Sequence, residues 1–146
     1  MDPVRFINQV AAQGAQNLRA YETHIAENMR NSDNMDELES KFTSQCAQTK
    51  VMIQEKANQI VNAVIPYYPN SWDPNYWEKR QYYEQLAEYA CAHIDHMDDQ
   101  FDGTFSRLKN LFQRLSTWIR NKVTQVYTAV KGFFRGAVNR IRGWFS

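Results

Sequence analysis

Apolar residues recur at intervals of three and four along almost the whole chain, and three short breaks interrupt them. Such spacing gathers side chains on one face of a helix, whereas a strand needs strict alternation, so the chain is committed to long amphipathic helices. The scarcity of turn formers, 5 Gly and 4 Pro, points the same way. The 8 Phe, 8 Tyr and 4 Trp supply bulky material for a core, and 146 residues suit a single domain.

The breaks divide the chain into four stripes. Asp2-Pro3 offers a capping carboxylate and a first-turn proline to a helix over about 3–30, with Val4, Ile7, Val10, Leu18, Tyr21, Ile25 and Met29 on its apolar face. Asn34, with Glu37 three residues on, has the form of a cap for a helix over about 34–65, along Met35, Leu38, Phe42, Cys46, Thr49, Ile53, Ile60 and Val64. Pro66 ends it, because the residue before a proline is pushed out of the helical region. Asp73-Pro74 repeats the cap-plus-proline start for a third helix, about 74–101, along Trp77, Arg80, Tyr83, Leu86, Ala90, Ile94, Met97 and Phe101. Asp102-Gly103-Thr104 reads as the last break, with Thr104 capping a helix over about 104–142, some 60 Å long at about 1.5 Å per residue. The expected fold is all-α: four long amphipathic helices in an elongated antiparallel bundle, the last one either packed or partly detached.

Charge divides the chain differently. Residues 1–102 hold all 16 acids against 8 Lys and Arg, and residues 103–146 hold 9 Lys and Arg with no acid, so an acidic portion of about −8 precedes a basic one of about +9. Asymmetry of this kind points to a charged partner or to one half neutralising the other. On the basic segment the apolar residues Phe105, Leu108, Phe112, Leu115, Trp118, Ile119, Val130, Phe133, Phe134, Ile141, Trp144 and Phe145 accompany Arg107, Lys109, Arg114, Arg120, Lys131, Arg135 and Arg142. Lys122 and Arg140 fall at the edge of the apolar arc. Cations for anionic headgroups beside aromatics for the acyl boundary are the composition of an interfacial membrane helix, and the pattern resembles that of exchangeable lipid-binding helical bundles. The expected function is non-catalytic binding of a lipid or an anionic membrane surface. The alternatives are an interaction module that self-associates into a homo-oligomer through the fourth helix and, less favoured, nucleic-acid binding. Against nucleic acid stand the apolar stripe between the cations and the acidic remainder of the chain.

Other constellations carry less. Tyr67, Tyr68, Trp72, Tyr76 and Trp77 crowd the bend between helices two and three; a plug for the end of the bundle is the preferred reading, an interface the other. Cys46 and Cys91 lie nearly level if helices two and three mirror each other about that bend, so a disulfide is one reading and two buried thiols the other. A bridge would place the protein in an oxidising, extracellular compartment with a signal peptide removed, since Met-Asp-Pro-Val-Arg-Phe carries no apolar signal region; without it a cytoplasmic or membrane-peripheral place is expected. His93, His96 and Asp99 do not converge on one helix face, so no metal or other cofactor is expected. No nucleophile elbow or phosphate loop is present, and no run of about 18 apolar residues that would span a bilayer.

Overall fold

A computed structural model of the chain describes residues 2–31, 34–113 and 117–143, except the side chains of Lys109, Asn110 and Phe112. Four helices, α1 (Pro3–Asn31), α2 (Met35–Val64), α3 (Tyr76–Phe112) and α4 (Thr117–Arg142), pack as an all-α bundle, with a 3-10 turn at Ile65–Tyr67. Local chemistry sets their starts. The Asp2 carboxylate accepts the Val4 N–H at 3.0 Å, and the Asn34 side chain accepts those of Asp36 and Glu37 at 3.0 and 3.3 Å. Past Val64 the chain tightens into the 3-10 turn that carries Pro66. Asp73 caps a turn rather than a helix: its carboxylate accepts the Asn75 N–H, and α3 begins at Tyr76.

Consecutive helices run in opposite directions, yet chain order is not the order round the bundle. α1 and α4 each pack against both α2 and α3, whereas α2 and α3 touch less. Two contacts set the levels along the axis. Lys56 Nζ on α2 reaches Gln13 on α1 at 2.8 Å, and Gly14 on α1 lies against Met97 on α3. Counting from these down α1 to Pro3 arrives level with Pro66 on antiparallel α2 and with Leu86 on parallel α3. Pro3 and Pro66 indeed line one surface depression. Residues 76–85 of α3 therefore reach past the ends of α1 and α2, an overhang of about 15 Å at about 1.5 Å per residue.

That overhang removes the disulfide. Helices two and three do not mirror each other about the bend; by the same counting Cys46 is level with Thr23 and Cys91 with Asn8, which separates them by about 22 Å along the axis at about 1.5 Å per residue. A disulfide needs Cα atoms within about 7 Å. Both thiols are free and buried in different parts of the core: Cys46 with Ile25, Met29, Leu38, Phe42, Leu108, Ile119 and Val123, Cys91 with the larger cluster near the bend. The free thiols give no support to an oxidising compartment.

The break expected at Asp102-Gly103-Thr104 is not there either. Met97, Phe101, Thr104 and Leu108 continue one buried face straight through Gly103. Burying Phe101 and Leu108 is worth about 1.5–3 kcal/mol each, more than the roughly 1 kcal/mol that a helical glycine costs. Thr104 is an interior helix residue, not a cap. Phe105, Arg107, Leu108 and Lys109, assigned from sequence to the last helix, thus belong to α3, as does the backbone of Phe112. Of the expected site residues, Arg114, Leu115, Trp144 and Phe145 lie outside the described residues.

Candidate functional site

α4 spends its apolar stripe inside the molecule. Ile119, Val123, Val130, Phe134, Ala137 and Ile141 are buried and form the fourth wall of the core. Leu108, on α3, is buried too, and Phe105 and Phe133 are half-buried. Phe105 sits between Phe101 and Tyr127, at ring-centre distances of 4.7 and 5.1 Å. Of the expected lipid-contacting side chains that are described, Trp118 alone is largely exposed, at 63%, with Lys122 Nζ 4.9 Å from its ring centre.

Charge is distributed over α4 by the same geometry. On the flank facing α3, Lys131 Nζ donates to both Asp98 and Asp102, and the Tyr127 hydroxyl donates to Asp102 at 2.8 Å. Burial by itself would raise the Asp102 carboxyl, but these two donors outweigh it and hold it below its usual range. Burial would likewise lower the Lys131 ammonium, and the two carboxylates raise it to about 12 instead. On α3, Arg107 folds back over Gly103 to reach Glu22 of α1 at 2.5 Å. The acidic helices thus neutralise part of the basic segment.

The rest of its charge faces outward. Among the described residues, Arg120, Lys122, Arg135 and Arg140 are exposed and pair with no carboxylate. Between them lie Asn121, Thr124, Gln125, Thr128 and Asn139, also exposed. This outer face is polar and cationic; apart from Trp118, the described apolar residues that accompany it in sequence are buried or half-buried. Lys122 and Arg140 gain importance here, because the flank towards α2 offers them no acid.

At the bend, the aromatic cluster does not act as a plug throughout. Tyr68 packs edge-on against buried Tyr83 at 5.2 Å, and the Tyr83 hydroxyl donates to the Ile141 carbonyl at 3.2 Å, tying the base of the overhang to the end of α4. Burial pushes that hydroxyl's pKa up to about 12. Trp72 and Trp77, by contrast, are 80% and 75% exposed, and Tyr67 and Tyr82, 5.7 Å apart, are about two-fifths exposed. The connector folds back against the overhang and leaves a cleft of about 510 Å³ between them, lined among others by Tyr67, Tyr82, Asp73, Glu78 and Lys79. Glu78, Lys79 and Tyr82 carried no sequence signal, since the fold-back that gathers them depends on how far α3 overshoots α2.

The two thiols offer no nucleophile at neutral pH. Burial pushes Cys46 up to about 12 and also raises Cys91, the nearby Arg142 guanidinium offsetting part of the latter shift. Among the described residues no three His, Cys, Asp or Glu side chains gather as metal ligands, and no helix is long and apolar enough to cross a membrane. No protein-family model, curated protein or solved structure matches the chain.

Proposed function

We propose that the protein is a non-catalytic binder of anionic lipid surfaces that acts through α4, carried in solution as the fourth wall of its own bundle. The observation that carries this reading is the set of exposed cations Arg120, Lys122, Arg135 and Arg140, which pair with no carboxylate among the described residues and stand on both flanks of the polar outer face of a helix whose inner face is a continuous apolar stripe. Six side chains of that stripe are buried, which is worth on the order of 10 kcal/mol and rivals the whole stability of a small domain. α4 therefore does not leave the bundle unaided. The closed form makes first contact through its outer cations, each worth about 1 kcal/mol near an anionic surface. An acyl boundary can then replace the core as the apolar environment of the stripe, and anionic headgroups can replace Asp98 and Asp102 as partners of Lys131. Self-association through the same stripe requires the same opening.

Co-flotation with anionic phosphatidylserine vesicles and with neutral vesicles, both free of phosphatidylcholine, at low and physiological salt tests this. Salt-sensitive flotation with the anionic vesicles is expected, and it should be lost in a variant carrying Arg120→Glu, Lys122→Glu, Arg135→Glu and Arg140→Glu that keeps its helical circular dichroism. Undiminished flotation of that variant sinks the proposal. A second reading, contact with nucleic-acid phosphates, is favoured by Asn121, Gln125 and Asn139 standing between the cations of the outer face. Duplex DNA that binds the protein more tightly than anionic vesicles do would favour that reading over the first.

A further inference from the structure

We propose that the cleft beneath the α3 overhang is a second binding site, separate from α4, and that it takes the phosphocholine headgroup of a membrane lipid. Its volume, about 510 Å³, lies in the range of small-molecule sites. The wall is aromatic: Tyr67 and Tyr82, both lining the cleft, stand 5.7 Å apart with the planes of their ring faces inclined at 60°. A quaternary ammonium has no N–H to donate and is held instead by such faces, through cation–π attraction, with a carboxylate near by. Glu78 supplies the carboxylate; it lines the cleft, is exposed, and pairs with no cation among the described residues.

Beside it the cleft carries one positive group. Lys79 Nζ is anchored to Asp73 at 2.5 Å but has three N–H donors, so two remain for a phosphate. A free carboxylate, an ammonium with spare donors and an aromatic corner together complement a zwitterion that is cationic and methylated at one end and anionic at the other. A simple cation or anion would leave one of these groups unused. The surroundings point to a lipid source. Trp72 belongs to the connector that walls the cleft, Trp77 precedes Glu78, and both are at least three-quarters exposed at the tip of the molecule, as indole rings are where they sit at headgroup level.

Free phosphocholine and choline chloride are the probes, titrated against the intact protein and followed by the chemical shifts of the backbone amides that line the cleft. Saturable shifts with phosphocholine are expected, weakened roughly tenfold in Tyr67→Leu/Tyr82→Leu, as loss of cation–π contacts worth about 1–2 kcal/mol implies. Both rings are outside the core, so this variant should stay folded. Lys79→Met should weaken phosphocholine and not weaken choline, since it also frees the Asp73 carboxylate beside the cleft. No saturable shift, or equal affinity in the double tyrosine variant, overturns the site. Flotation with phosphatidylcholine vesicles at high salt, where the cations of α4 are screened, tests the source; binding of free phosphocholine without such flotation overturns the membrane assignment. So does tighter binding of a trimethyllysine peptide than of phosphocholine, in favour of a protein partner. Charge reversal on α4 should leave the cleft titration unchanged, so the two proposals fail separately.

Discussion

α4 and the overhang of α3 are both rich in large apolar side chains, and the bundle treats them in opposite ways. α4 lies between α2 and α3 and hides its stripe against both, down to 0% exposure at Val130 and Ile141. The base of the overhang still packs, Tyr83 being buried against Tyr68 and the end of α4, but its tip runs past every neighbour, so Trp77 has no helix to pack on and stays 75% exposed. Side-chain chemistry alone does not separate the two cases. Position along the bundle axis does: an apolar residue is buried where two or more helices are level with it and shown to solvent where one helix runs on alone.

The sharpest way to break this comparison is to truncate one side chain from each region. Phe134→Ala should cost about 3–5 kcal/mol, since it removes a fully buried ring from a site walled by several helices and leaves a cavity. Trp77→Ala, a larger truncation, should stay within about 0.5 kcal/mol of the parent. Urea denaturation midpoints decide it. A large loss in Trp77→Ala would mean that the overhang is packed in solution, against a second copy or against the chain itself.

Thiol titration sharpens the same point for the interior. Cys46 and Cys91 are buried, and burial holds both thiols protonated well above neutral pH. A thiol reagent at pH 8 should find two slow thiols in the native protein and two fast ones in urea. If no thiol reacts in urea under non-reducing conditions, the two are bridged and the axial offset of α2 and α3 is wrong. A third, smaller effect concerns α4 alone. Gly132 is helical, exposed and has open space where a Cβ would be, so Gly132→Ala should stabilise by about 1 kcal/mol. No gain in thermal midpoint would indicate that α4 is frayed or kinked at that position in solution.

These contrasts also mark what was legible beforehand. The period of three and four, the caps at Asp2 and Asn34 and the stop at Pro66 are local signals, and they placed the first two helices almost to the residue. Gly103 misled because its cost as a helical residue is local, whereas the burial of Phe101 and Leu108 that outweighs it is tertiary. The disulfide failed for a related reason: levelling Cys46 with Cys91 assumed a symmetric hairpin, and nothing in the connector's sequence states that α3 overshoots. For the candidate site the split is the same. The amphipathic pattern of 117–142 announced that one face would be covered, but not that the chain would cover it itself, and the cleft residues Glu78, Lys79 and Tyr82 meet Tyr67 only through the fold-back.

The smallest expected effect concerns the latch between the two halves of the charge pattern. Asp102 is held below its ordinary value, so its contribution to stability is fully present above the ordinary carboxylate range and is lost as pH falls through its lowered folded value. Lys131 is raised from 10.5 to about 12, so its contribution is fully present below about 10.5 and is lost as pH rises through about 12. Between those limits the latch holds α4 to α3. Because the three side chains are 26–42% exposed, solvent screening keeps the whole contribution to about 1 kcal/mol or less. Lys131→Met should lower the urea midpoint by that small amount at pH 7 and, by taking away the main donor to both aspartates, flatten the fall in stability between about pH 5 and 2. It should also raise anionic-vesicle flotation if opening limits binding, since one tie on α4 is gone while Arg120, Lys122, Arg135 and Arg140 remain. A variant that unfolds along the same pH curve as the parent would show that the acidic helices do not restrain α4 through this latch.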